Sequence, residues 1–365
     1  MQCENPPLPA PSGPQPVGWT PTAIAAHNAG AETRTSSMPC GALVVSLDFE
    51  LYWGVRDVRT IEDYGENLLA VRKVVPALLN LFDRYRVHAT WATVGFLFSR
   101  TKQELLAFAP KVRPQYQDSE LGPYAHIASI GAGEADDPYH YAPSLIETIL
   151  RHPSQELGSH TFSHYYCLEQ GQDRAAFEAD MESSAAIMAR CGVELRSLVF
   201  PRNQFNPAYL PSCRRMNLLA YRGNPPGWMY SPDPSQRPSA WKRALRLCDA
   251  YLNLSGGNSY APGSEACVAP VNVRASRFLR PWSRPLRHLE SLRLRRIRRE
   301  LTRASQRGWI YHLWWHPHNF GSALAENLSF LESILRHFDA LRRSSGMESL
   351  TMSECAARLA GSGRK

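Results

Sequence analysis

The chain has 365 residues, 44% hydrophobic and 20% charged, the composition of an ordinary globular protein long enough for one large α/β domain or two smaller ones; one large domain is expected. The formal net charge of +8 is local: between Arg274 and Arg307 stand twelve arginines and no lysine against Glu290 and Glu300, so the rest of the chain is slightly acidic. No nucleic-acid motif accompanies that stretch, and nucleic acid is not expected as a partner.

Residues 1–40 hold eight prolines among Gly, Ser, Thr and Ala without periodicity. Such a segment cannot bury enough surface to offset chain entropy, and a disordered Pro-rich tail is expected ahead of a domain over 41–365. The opening residues lack a basic start followed by an apolar run, and no stretch approaches the ~18 apolar residues of a membrane span. Eight cysteines are scattered without a CxxC pair, a pattern that favours reduced thiols. A cytoplasmic protein is expected.

From Ala42 onward, short β-rich runs alternate with helical patterns. "ALVVSLD" precedes a helix near 64–86, and "HATWATV" is followed by helices near 102–110 and 143–151. "ELGSH" leads to a helix near 173–190, "SLVFP" to one near 207–216, and then "LLAYR" follows. Later, "GWIYHLWWH" precedes a helix near 324–344. Alternation of this kind predicts parallel strands with crossover helices. "ALVVSLD" and "WIYHLWW" are almost continuously apolar, as strands covered on both faces should be, which leaves a barrel or a doubly wound sheet open. Residues 223–275, rich in Pro, Gly and Ser, break the alternation and are expected to be a loop insertion at a substrate rim.

Polar residues stand at the carboxyl ends of these runs, where α/β folds assemble their chemistry. Asp48 and Glu50 are two apart in "SLDFELYWG", so a continuing strand points both to one face, where one carboxylate binds a metal and the other serves as a base. His160 and His164 in "GSHTFSH" are spaced to meet one divalent ion such as Zn²⁺, with a carboxylate as third ligand; taken alone, the spacing also fits two satisfied histidines. Arg202 in "LVFPRNQFN" cannot give up its proton, so it either holds a carboxylate ionised or makes a surface ion pair. His316, in "YHLWWHPHNFG" with His312 and His318, is a general acid or a packed histidine among aromatics. Of Trp314 and Trp315, only one can face a pocket.

Together and in this order, the four stretches resemble the polysaccharide deacetylase family, the NodB-like metal-dependent deacetylases. "SLDFE" looks like the family's first motif, "SHTFSH" like its second, "FPRNQFN" like its arginine motif and "LWWHP" like its final histidine motif; "ATWATVG" resembles its second strand. The resemblance spans about 42–345. It implies an α/β fold, a distorted (β/α) barrel with one divalent metal, zinc, in its mouth. Glu50, His160 and His164 would be the metal ligands, Asp48 the general base, Arg202 the residue that orients Asp48, and His316 the general acid. The family's usual first motif has two adjacent aspartates; here Phe49 takes the second place and the carboxylate follows as Glu50. The implied reaction removes an N-acetyl group from an amino sugar in a glycan or glycan precursor. The alternatives are an allantoinase-like amidohydrolase and a sugar-binding pseudoenzyme.

In the basic stretch, Leu286, Leu289, Ile297 and Leu301 recur at near-helical spacing. A barrel helix with leucines on the core and arginines in water is expected. Weak contact of residues 274–307 with an anionic membrane surface is the sharper alternative.

Overall fold

The computed structural model describes residues 40–230, 240–262 and 268–362, so the predicted tail, apart from Cys40, lies outside the described residues. The first strand, β1 (Ala42–Phe49), is buried along its whole length. It has parallel partners on both edges, β2 (Ala89–Thr93) and β8 (Ile310–Trp315). Covered on both faces, it carries a near-continuous apolar run in place of a polar/apolar alternation. The sheet continues in parallel from β2 through β3 (Gln155–Ser159), β4 (Ser197–Val199) and β5 (Ala220–Arg222) to β6 (Val271–Asn272). On the other side β7 (Arg277–Phe278) pairs with β8, and β9 (Glu348–Leu350) pairs with the start of β1.

One stretch joins the two edges. Val271, Val273 and Ala275 donate backbone hydrogen bonds to Leu219, Tyr221 and Gly223 on the β5 side, at 2.7, 2.9 and 2.9 Å. Ser276 and Leu279 then donate to His312 and Trp314 of β8, both at 2.8 Å. The sheet therefore curls into the expected distorted barrel, with 271–279 as its seam.

Helices cover the outside: α1 (Ile61–Tyr85), α2 (Lys102–Phe108), α3 (Pro143–Leu150), α4 (Arg174–Arg190), α5 (Leu210–Arg215), α6 (Ala240–Leu252), α7 (Glu290–Arg307) and α8 (Leu324–Ser345). Their ends follow local chemistry. Thr60 and Asp63 form a capping box at the start of α1, and Asp173 caps α4. Gly308 and Gly346 end α7 and α8 in the left-handed conformation. Strand alternation separates two cores. Leu43, Val45, Leu47 and Phe49 face the helices. Ala42 and Val44 face inward with Val199, Ala220, Val271 and Ile310, against Met352, Cys355 and Leu359 of α9 (Met352–Ser362). The last helix thus closes the amino-terminal end of the barrel and leaves the carboxyl end free for polar groups.

The segment 223–275 contains α6 and β6 as well as loops. Its helical stretch does carry apolar residues at helical spacing, Trp241, Ala244, Leu245, Cys248, Tyr251 and Leu252, but Pro-, Gly- and Ser-rich flanks on both sides make the whole segment read as loop. The helix expected in the basic stretch is present as α7, with Ile297 and Leu301 buried. Leu289 is exposed and Leu286 half-buried, because both precede the helix in a 3₁₀ turn. Its arginines are not all in water. Arg293 and Arg296 are buried, paired with Glu290 and with Asp249 of α6. Among the described residues no helix is long and apolar enough to cross a membrane.

Candidate active site

The free end of the barrel collects five of the six expected side chains. Asp48 projects inward from β1, two residues beyond Ser46, while Phe49 turns outward onto Trp91. The strand ends there, yet Glu50 stays on the inner side before a 3₁₀ turn at Leu51–Gly54. Gly54 is required by that turn: a Cβ at this position would fall inside the Glu50 carboxylate.

His160 follows β3, but the pair with His164 is not helical. Residues 160–164 form a tight loop in which Thr161 and His164 adopt positive φ, 62° and 59°. Non-glycine residues resist this conformation, so the surroundings must impose it. The buried Asp180 of α4 does so, accepting from the backbone N–H of Phe162 at 2.7 Å and of Ser163 at 3.2 Å, and from the Ser163 hydroxyl. The Thr161 hydroxyl accepts from the Tyr165 N–H at 2.7 Å.

The loop aims both imidazoles at one carboxylate oxygen. Glu50 Oε2 lies 3.2 Å from His160 Nε2 and 3.1 Å from His164 Nε2. His160 Nδ1 donates to the Val199 carbonyl at 2.9 Å, which leaves its Nε2 lone pair directed at the centre. All three side chains are buried. Donor atoms at these separations suit one small divalent ion, since ligands at ~2.1 Å in a tetrahedral arrangement stand about 3.4 Å apart. Two imidazoles and a carboxylate are also a donor set that zinc accepts. Burial pushes the His164 pKa down, keeping it neutral as a ligand must be. Burial alone would raise the Glu50 pKa, but the facing His316, His160 and His164 outweigh it and hold the carboxyl well below its usual range.

The arginine on Asp48 is Arg222, not Arg202. Arg222 is the last residue of β5, inward-facing like Ala220, and its side chain is fully buried. Its Nη1 and Nη2 donate to the two Asp48 oxygens at 2.6 and 2.7 Å. The same guanidinium reaches Ser46 Oγ and Asn203 Oδ1, both at 3.0 Å, and lies 4.2 Å from the Trp314 ring centroid. Ser46 in turn bonds to His312 Nε2 at 2.8 Å, and His312 Nδ1 donates to the Val273 carbonyl at 3.0 Å. His312 is pushed down to about 3 by burial and by Arg222. It therefore closes this network as a neutral acceptor. Burial opposes the charge on Asp48, yet Arg222 and the neighbouring histidines outweigh it and leave the pKa lowered.

Arg202 instead pairs with Asp57 and lies 4.6 Å from the centroid of Tyr166, whose ring meets His164 edge-on at 5.1 Å. The arginine motif still serves the site through its neighbour, because Asn203 is the residue that touches Arg222. Sequence reading placed "LLAYR" as a strand but gave Arg222 no role. Its signal is an arginine two places beyond an inward alanine at a strand end.

His316 completes the set. Its Nε2 lies 3.5 Å from Glu50 Oε1 and 3.7 Å from Asp48 Oδ2, and with 23% side-chain exposure it is more open than either carboxylate, at 4% each. His318 stacks on it at 5.0 Å and is neutral, pushed down to about 3 by burial and by His316. Trp314 faces the pocket between Arg222, Phe278 and His316, and Trp315 is wholly buried against Phe320.

Residues 60–221 match the family model described as polysaccharide deacetylase, a span that contains the histidine pair. Over that span, somewhat under half of its length, the chain is similar to the polysaccharide deacetylase family. Among solved structures, a Mycobacterium smegmatis protein provisionally named a polysaccharide deacetylase aligns over 95% of this chain and 96% of its own, with 12% identity and a TM-score of 0.53. A Pseudomonas aeruginosa PAO1 structure similarly named aligns over 89% and 91%, with 11% identity and a TM-score of 0.48. A Bacillus anthracis family pseudoenzyme aligns over 87% and 66%, with 11% identity and a TM-score of 0.42. The first likeness supports the deacetylase fold, and identities this low speak to fold alone. No curated protein matches the chain by sequence. Asp48, Glu50, Arg222 and His316 all lie outside the matched span.

Two outcomes test this geometry. Arg222→Met strands a buried Asp48 charge and is expected to cost about 3–5 kcal/mol of stability in chemical denaturation. Arg202→Met, nearer the rim, is expected to cost less, and the reverse order would mean that Arg202 anchors the site. Gly54→Ala is expected to displace Glu50 and, with Zn²⁺ as the probe ion, to weaken metal binding by about 10–100-fold, the range for disturbed ligand support. Competition with a chelating dye measures this; unchanged affinity would show that Glu50 is not a ligand.

Proposed function

We propose that this protein is a zinc-dependent hydrolase that removes the N-acetyl group from an amino sugar in a glycan or glycan precursor and releases acetate. One observation carries the reading: Glu50, His160 and His164 converge on a single point, with Asp48 and His316 both placed against it. Zinc held by Glu50 Oε2, His160 Nε2 and His164 Nε2 would supply a Lewis acid that polarises the acetyl carbonyl and lowers the pKa of water.

The chain's own residues supply the proton steps. Asp48, kept ionised by the Arg222 fork, takes a proton from the attacking water. As the carbon–nitrogen bond breaks, His316 gives a proton to the departing amine. It suits that role as the more exposed member of the pair, open on one side and backed by neutral His318. Trp314, held by Arg222 and Phe278, offers an apolar wall for the acetyl methyl or the sugar face. Zinc is favoured by the two-nitrogen, one-oxygen donor set. A cytoplasmic location is part of the proposal, supported by free thiols at all six described cysteines.

His160→Ala and His164→Ala are each expected to lose zinc and acetate release together, read by elemental analysis and an acetate assay. Asp48→Asn is expected to keep zinc while turnover falls about 10²–10⁴-fold, the usual share of a general base. A panel of N-acetylated sugars, nucleotide sugars and small cyclic amides then sorts the substrate class. Acetate from none of the sugars would sink the deacetylase reading, and turnover of a cyclic amide alone would replace it with an allantoinase-like one.

A further inference from the structure

The arginines of α7 divide by the side they face. Those turned toward the body of the protein are neutralised: Arg293 by Glu290 and Arg296 by Asp249. Those turned outward line a groove of about 520 Å³ between α7 and α8, which contains Arg295, Arg298, Arg299 and Arg303 with Leu294 at its side and His337 from α8. No acidic residue lines it. Among the described residues none of these four arginines makes an ion pair with a carboxylate, although arginines elsewhere on α8 do, Arg336 with Glu332 and Arg342 with Asp339.

Such an arrangement works against the helix. Arg295, Arg299 and Arg303 repeat every four residues, and like charges at that spacing destabilise a helix. Two of the side chains are nevertheless held in place. Arg298 donates from Nη2 to the Ser333 carbonyl at 2.9 Å while its Nε is buried without a partner, and Arg303 lies 5.2 Å from the Trp309 ring centroid. Successive arginines stand about 6 Å apart along the axis. Planar guanidinium forks at that interval fit a group with several charged oxygens, and arginine in place of lysine favours bidentate contact with phosphate.

We propose that the α7–α8 groove is a binding site for a phosphate-bearing group, separate from the deacetylase centre and independent of its chemistry. None of the groove residues belongs to the Asp48, Glu50, His160, His164, Arg222 and His316 set. The phosphate has two possible sources with the same chemistry, a soluble oligophosphate or a lipid headgroup, and one experiment tells them apart.

Full-length protein is titrated with inorganic tripolyphosphate by calorimetry. In parallel it is sedimented with phosphatidylcholine vesicles with and without phosphatidic acid. Binding in the first arm assigns a soluble ligand, and phosphatidic-acid-dependent binding in the second assigns a headgroup. The Arg295→Gln, Arg299→Gln, Arg303→Gln triple variant is expected to weaken the observed binding at least tenfold. A control triple variant with the same charge change at exposed positions, Arg84→Gln, Arg100→Gln and Arg196→Gln, is expected to bind as the parent does. The proposal fails if neither arm shows binding, if the control variant weakens it equally, or if polyglutamate binds as tightly as tripolyphosphate. Acetate release by the groove variant is expected to be unchanged on a small soluble substrate, so failure here leaves the deacetylase reading standing.

Discussion

Two carboxylates two residues apart, both buried, cannot both stay ionised inside a barrel unless each has a positive or hydrogen-bonding partner of its own. Asp48 and Glu50 face that constraint, and much of the carboxyl end of the barrel is built around it. Asp48 receives a guanidinium fork from Arg222. Glu50 faces His316 on one oxygen, and on the other it meets two imidazoles whose geometry leaves room for a divalent cation. The two solutions differ in kind: a fixed cation holds a base ready, while neutral nitrogens make a site that a metal ion can complete. That difference supports separate roles for two chemically similar side chains.

Each partner is itself held by something further out. Arg222 is fixed by Ser46, Asn203 and the Trp314 ring, and Ser46 by a neutral His312. The histidine loop contains two residues in a backbone conformation they would not choose, and the carboxylate of Asp180 on α4 holds it there. Tyr166 leans on His164 and Arg202 leans on Tyr166. A site supported in this way resists small displacements, which matters because reactivity depends on ångström-level placement of the reacting groups. The apolar lower half of the barrel, closed by α9, keeps water from the opposite end and makes these polar contacts stronger than they would be in solvent.

The position of the anchoring arginine shows how a motif can persist while its work is divided. "FPRNQFN" follows β4, yet Arg202 turns to the rim and its neighbour Asn203 supports an arginine delivered by the next strand. The end of β4 and the end of β5 are adjacent in the parallel sheet, so a guanidinium from either can in principle reach the barrel axis. What differs is direction. Arg222 inherits the inward side of its strand from Ala220, whereas Arg202 sits after a proline in a left-handed turn, with φ 52°, that points it away.

The sequence by itself determined the alternating parallel fold, because period and apolarity are local properties: β1, β2, β8, α1, α4 and α8 stand close to where the patterns put them. It also determined that Asp48, Glu50, His160, His164 and His316 would meet, since residues at the carboxyl ends of parallel strands share one end of the sheet. Only the tertiary structure decided which arginine holds Asp48, because that depends on the inward or outward side of a three-residue strand and on a turn after Pro201. The helix within 223–275 was hidden by its Pro-, Gly- and Ser-rich flanks although its own apolar spacing is helical, and the requirement for glycine at position 54 was invisible. The first is stabilised by its packing on α7 through Asp249 and Arg296, and the second arises from a carboxylate brought close by two distant histidines. The same holds for α7, whose seven arginines read as uniform charge until packing neutralises one side and leaves the other without ion-pair partners among the described residues. Local pattern fixes which face a residue can occupy; long-range contact fixes what meets it there.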